Sequence, residues 1–278
     1  MIKSFRDRDA QPLFDRRPTR RFRPEVEKVA LRKLRCRRAF LRCHVPGMLG
    51  LAVDGRGTVY AALGSFDAAT HGVWKVSPDG TAKRLAALDP SGLPNALAFD
   101  DRGNLFVSDS FLGAIWRVPR GSDQAALWAQ DPLLAGDPVN GIGFGANGVA
   151  FREGALYVGN TDEGTVVRIP VRSDGSAGTP AVWVRDPQLH GADGLQFDTQ
   201  GDLYVTTDGL GNSLARVDPR RSVTTLAGAD DGLDYPASIA FGQGPLDHSE
   251  LFIADLGQNF GRPAVMGAEV GVTGVPLP

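Results

Sequence analysis

The sequence predicts an all-β fold, a β-propeller. Three observations predict it: a pair of short apolar runs joined by a Gly-containing turn, the return of that pair at a spacing of 44–52 residues, and 35 Gly spread along 278 residues. Many turns mean many short strands, and self-similarity of about 45 residues with four strands per unit is the signature of a propeller. The helical alternative fails because the repeated units lack a 3.6-residue period.

The pairs are MLGLAVDGRGTVYAAL (48–63), PNALAFDDRGNLFVSD (94–109), ANGVAFREGALYVGN (146–160), ADGLQFDTQGDLYVTTD (192–208) and PASIAFGQGPLDHSELFIAD (236–255). A third strand follows in GVWKV, AIWRV, TVVRI and SLARV, and a fourth in AKRLAAL, AALWAQD, AVWVRD and VTTLAG. The alternation of VWKV, IWRV and VVRI sets one face inward and the other outward. SPDG and RSDG supply turns.

The charge is unevenly placed. Residues 1–44 hold 15 Lys and Arg against 5 Asp and Glu, a net +10, whereas the rest of the chain carries a net −12. This divides the chain into a basic extension, 1–44, and a propeller domain, 45–278. Val26, Ala30, Leu34 and Leu41 trace an amphipathic pattern through the extension, behind Pro24 at a first helical position. It reads as a basic helix or as a disordered leader. A basic helix could meet anionic lipid or nucleic acid, but the acidic body opposes such partners, so neither is expected. Cys36, Cys43 and His44 match no standard zinc spacing, and the body has no cysteine for a disulfide framework. No run approaches the roughly 18 apolar residues of a membrane span. No apolar segment of a secretory signal follows the first charges, so the expected location is cytoplasmic by default.

One position in the repeat carries the functional expectation. The residue that opens the innermost strand is Leu49, Asn95, Asn147, Asp193 and Ala237 in turn. In a propeller these slots converge on the central channel, and three adjacent blades bring oxygen donors. Amide oxygens with a carboxylate suit a hard cation such as Ca²⁺, and the lack of Cys and His disfavours zinc or copper. Asp193 can act as ligand or general base. Taken singly, each Asn or Asp reads as turn chemistry, since Asn-Gly and Asp-Gly turn well; the common register points to a shared site. Asp109, Asn160, Asp208 and Asp255, at the ends of second strands, read as turn residues. His71, His190 and His248 read as solvated loop histidines, with His190 best placed to face the slot as a substrate contact. GIGFGANG (141–148) leads into a strand, so it is not a dinucleotide fingerprint.

PNALAFDDRGNLFVSDS, GANGVAFREGALYVGNTDEGTVVRIPV and GADGLQFDTQGDLYVTTD resemble the SMP-30/gluconolactonase/LRE family of six-bladed propellers, over about residues 47–278. The resemblance implies a metal-dependent hydrolase of a lactone or ester, with a divalent metal, often Ca²⁺, at the centre of the channel. It implies Asn147 and Asp193 as metal ligands, Asp193 also as the catalytic base, and Asn95 as a substrate contact. Five repeats are recognisable where the family has six. The missing one is the first, which would bring a glutamate ligand; the basic leader stands in its place, and Glu25 is the only nearby candidate. The ring is therefore expected to be incomplete or closed by the leader. The alternative is a non-catalytic, NHL-like propeller that binds a ligand or a protein.

Overall fold

The computed structural model describes residues 47–65, 67–209, 211–244 and 247–276. The basic extension, with Glu25 and the Cys36, Cys43 and His44 group, lies outside the described residues.

Five antiparallel sheets follow one another along the chain. Blade 1 is β1 (Gly47–Val53), β2 (Val59–Gly64), β3 (Gly72–Val76) and β4 (Ala82–Ala87). Blade 2 is β5 (Pro94–Phe99), β6 (Leu105–Asp109), β7 (Ala114–Val118) and β8 (Ala126–Gln130). Blade 3 is β9 (Ala146–Arg152), β10 (Ala155–Asn160), β11 (Thr165–Pro170) and β12 (Ala181–Arg185). Blade 4 is β13 (Ala192–Phe197), β14 (Leu203–Thr207), β15 (Ser213–Val217) and β16 (Val223–Ala227). Blade 5 has three strands among the described residues, β17 (Pro236–Phe241), β18 (Glu250–Asp255) and β19 (Ala264–Glu269). All five expected repeats are present, and no sixth sheet occurs among the described residues.

The innermost strands pack in series, β1 on β5, β5 on β9, β9 on β13 and β13 on β17. No comparable packing joins β17 to β1 among the described residues. The core divides in the same way. Val73 and Ala86 meet Leu97 and Val107 between blades 1 and 2, and Phe106 and Ile115 meet Val149 and Leu156 between blades 2 and 3. Tyr157 and Val166 meet Leu195 and Val205 between blades 3 and 4. Tyr204 and Leu214 meet Leu251 and Ile253 between blades 4 and 5.

This arrangement corrects the inward-outward reading of the strands. Neighbouring residues of one strand enter different cores: in IWRV, Ile115 faces blade 3 while Trp116 and Val118 face blade 1, and in VVRI, Val166 faces blade 4 while Val167 faces blade 2. Strands β6, β10 and β14 are buried throughout because blades pack face to face and cover both sides of each sheet.

Two connections between blades are built alike. Asp131 and Asp186 each accept a hydrogen bond from the backbone N–H two residues on and start a short 3-10 turn at an Asp-Pro step. The turns bury Leu134 and Leu189 and deliver the chain to the next innermost strand. The C-terminal segment returns to the opposite end of the ring. Val275 N–H donates to Phe197 O at 3.3 Å, and a bridge pairs Asp198 with Gly274. A Cβ at Gly274 would lie 2.4 Å from Phe241, so this segment wedges between blades 4 and 5.

Candidate functional site

Each innermost strand breaks register at its slot. In blade 2 the pairing skips from Pro94–Asp109 to Leu97–Val107, so Asn95 and Ala96 oppose Ser108 alone. The same skip surrounds Leu49, Asn147 and Asp193, and a break falls at Ala237. A bulge of this kind re-aims a side chain out of the pleat. The slot residues thus lie in bulged strands, which corrects their reading as turn residues.

The glycine that follows a slot serves close packing. A Cβ at Gly50 would sit 1.9 Å from Asn95 O, and one at Gly148 would sit 1.6 Å from Asp193 O. Neither glycine is among those of positive φ, so close approach, not a left-handed backbone, requires them. Through these contacts the slots of adjacent blades touch backbone to backbone, which brings Asn147 and Asp193 together.

The amides are oriented by a repeated relay. Asn95 Nδ2 donates to Ser110 Oγ at 3.0 Å, and Ser110 Oγ donates to Ala146 O of the next blade at 2.8 Å. Asn147 Nδ2 donates to Thr161 Oγ1 at 2.9 Å, and Thr161 Oγ1 donates to Ala192 O at 3.0 Å. Each hydroxyl accepts the amide hydrogen and spends its own on the neighbouring blade, so each Oδ1 is turned the other way. Asn147 is fully buried and its Oδ1 has no hydrogen-bond partner. Asn95 and Asp193 are both 3% exposed. Ser110 and Thr161 did not stand out in the sequence, although VSDS and VGNT place a hydroxyl at the same point after the second strand.

The other two slots bring no donor. Leu49 packs with Leu93 and Phe144, and Ala237 is buried. Among the described residues no three His, Cys, Asp or Glu side chains gather into a metal-binding group. The candidate donor set is therefore Asn147 and Asp193, with Asn95 in the adjoining blade. An orphaned, buried amide oxygen in one blade and a buried carboxylate in the adjoining slot are donors of the kind a hard cation takes, with its remaining ligands from water or substrate.

His190 is exposed and ends the 3-10 turn of Pro187–Leu189, two residues before β13. Its ring lies over Gly164, where a Cβ would come 3.1 Å from His190 Cδ2. It stands at the slot end of the ring, with its ring against blade 3. His248 is exposed at the far end. His71 departs from its reading as a solvated residue: it is 1% exposed, and its Nδ1 accepts the Ser65 N–H at 3.1 Å. Burial holds His71 below the usual imidazole range, against the opposing pull of Asp109 and Asp89.

The Asp and Asn side chains that end second strands fasten loops. Asp109 accepts from Leu93 N–H at 2.7 Å and from Trp116 Nε1 at 3.1 Å. Asn160 Nδ2 donates to Leu133 O and Ala135 O. Asp255 accepts from Asp234 N–H at 3.0 Å. Burial raises its carboxyl to about 8, an effect that outweighs the Asp234 N–H bond. These side chains bind the entries of blades 2, 3 and 5 to their second strands; Asp109 and Asn160 also accept from the N–H three residues on, as turn residues do.

A cleft of about 960 Å³ opens at the opposite end, between blades 1 and 2. Asp54, Arg56, Lys75, Lys83, Asp101 and Arg120 line it, and no slot residue does. Its charges are mixed and solvated; Tyr60 Oη donates to Asp54 at 3.3 Å and Lys75 lies over the Tyr60 ring. The oriented amides of Asn95 and Asn147 lie away from this cleft, at the slots.

No family model matches the chain, and no curated protein matches it. Solved structures do. A calcium-binding protein, regucalcin, from Agrobacterium tumefaciens is similar with a TM-score of 0.63 at 17% identity, over 82% of this chain and 77% of that one. A gluconolactonase from Xanthomonas campestris is similar with a TM-score of 0.59 at 18% identity, over 84% and 72%. A chain of a nidogen/laminin complex is similar with a TM-score of 0.55 at 20% identity, over 76% and 73%. No helix among the described residues is long and apolar enough to cross a membrane. At these identities the likeness is one of fold: the chain is a β-propeller of the architecture found in gluconolactonase and regucalcin structures, with five blades described.

Proposed function

We propose that the chain is a lactonase-like hydrolase of a small lactone or ester, working at the slot end of the propeller. The observation that carries the reading is the buried, unpartnered Oδ1 of Asn147, packed one blade from the Asp193 carboxylate. The folds of gluconolactonase and regucalcin support it.

Asn147 and Asp193 would hold a divalent cation, Ca²⁺ by the hardness of their oxygens. When bound, such an ion polarises a carbonyl and lowers the pKa of water. The residues of the chain do the rest. Asp193 accepts the proton of the attacking water at a carboxylate oxygen. Asn95, its amide hydrogen committed to Ser110, turns Oδ1 toward substrate hydrogen-bond donors. His190, at the same end, contacts the substrate's outer part.

Calorimetric titration with Ca²⁺ tests this, together with a lactone and ester screen. The intact chain should bind the ion and hydrolyse a substrate, and Asp193→Ala should abolish both. A folded wild-type chain that binds no ion would end the hydrolase reading. A second reading would then stand, a ligand- or protein-binding propeller. It is favoured by the small donor set and by the chain of the nidogen/laminin complex with the same fold.

A further inference from the structure

The slot end carries an apolar wall beside the oriented amides. Leu49 and Leu93 are buried there against the half-buried Phe144. Phe111, 44% exposed, meets the Phe144 ring with centroids 5.4 Å apart. These rings adjoin the relay residues: Phe111 follows Ser110, the partner of Asn95, and Phe144 stands three residues before Asn147. Gly145 N–H donates to Ser110 O at 3.0 Å and Thr161 N–H to Gly145 O at 3.2 Å, which ties the wall to both amides.

The loop that bears Phe144 is held in place. The Asp162 carboxylate accepts from Asp137 N–H at 3.0 Å, Ile142 N–H at 3.0 Å and Phe144 N–H at 2.9 Å. So anchored, the loop presents Ile142 to solvent, 69% exposed. Residues 138–151 contain no charged side chain, and neither do 110–116. A polyhydroxylated sugar lactone needs a hydrogen-bonding partner for each hydroxyl it buries. This wall offers apolar side chains.

We propose that the wall selects substrates with an apolar substituent: a lactone or ester whose alkyl or aryl group lies on Phe111 and Phe144 while its carbonyl points to the slots. The inference rests on the hydrolase reading for its chemistry, but the wall's ligand preference can be measured without turnover. The commitment to a small ligand follows from continuity: hydrogen bonds through Gly145 join the Phe111 and Phe144 wall to the hydroxyls that orient both amides, so the two belong to one site.

The test uses alkyl-substituted δ-lactams, which resist hydrolysis, and the matching δ-lactones beside glucono-δ-lactone. Lactam affinity should rise about two- to fourfold per methylene. Phe144→Ser and Phe111→Ser should each flatten that rise while leaving Ca²⁺ binding and the melting transition of the exposed-site variant, Phe111→Ser, in place. If alkyl lactams bind with this dependence but no lactone is turned over, the wall stands and the hydrolase reading falls. Hydrolysis of glucono-δ-lactone at least as well as alkyl lactones would overturn the wall and leave the hydrolase. A chain-length dependence that is flat, or absent lactam binding, also overturns it.

Discussion

Thr161 Oγ1 takes its hydrogen bond from Asn147 Nδ2 at 2.9 Å and gives its own hydrogen to Ala192 O, the residue before Asp193, at 3.0 Å. One hydroxyl therefore orients the amide of one slot and holds the backbone of the next. Replacing Thr161 with Val keeps the shape and removes both bonds. Ca²⁺ affinity should fall about 10-fold or more, as when outer-shell partners of metal ligands are lost. Thr161→Ser should restore it. Calorimetry on both variants checks this; a Val variant with reduced stability and unchanged affinity would limit the relay to a structural part.

The slot glycines should resist any side chain. Gly148→Ala forces a Cβ to 1.6 Å from Asp193 O, a backbone atom that cannot move alone. We expect a loss of about 3 kcal/mol or more, or failure to fold. Gly154→Ala meets no atom within 4 Å but has φ +68°, and should cost about 1–2 kcal/mol. Urea unfolding of the two variants should rank them in this order.

Stability should fall with rising pH through the carboxyl of Asp255. Burial raises this group from 3.8 to about 8 in the folded chain. The folded state then holds a proton that the unfolded state releases. Its contribution is complete below the unfolded value and is lost as pH rises through the folded one. Asp255→Asn keeps an acceptor for Asp234 N–H and removes the titration. The urea midpoint of the wild type should drop more steeply than that of the variant between about pH 4 and pH 8, the window between the two values. Parallel curves would show that Asp255 is ionised throughout.

Asp162 should hold the loop of 137–144 and little else. Its carboxylate accepts three backbone N–H groups, and Gly141 packs so closely that a Cβ would lie 2.4 Å from Asp162 Cγ. Asp162→Ala leaves those donors without a partner. Amide exchange at Ile142 and Phe144 should speed up at least about 10-fold, with the inter-blade cores still protected. Exchange that accelerates across all blades would mean that the loop supports the whole ring.

The repeats were legible because a propeller writes its fold locally. Each blade is a run of hairpins, so strand, turn and strand recur in sequence as they do in space. Asn95, Asn147 and Asp193 could be aligned because register within a hairpin carries over from blade to blade. The role of the glycines could not be read this way. Gly148 looked like half of a turn, and its true constraint is the carbonyl of Asp193, 45 residues away. His71 failed for the same reason: a loop histidine in sequence is buried by contacts that only the packed blades supply.

Composition and periodicity alone thus yielded the all-β class, the five repeats and the polar slots, since each depends on residues within one hairpin. Packing between blades settled the rest: the burial of both faces of β6, β10 and β14, the direction in which the Asn147 amide points, and the apolar wall of Phe111 and Phe144 beside it. Those features arise from atoms brought together across blade boundaries, where hydrogen bonds and close contacts join residues that no local pattern relates.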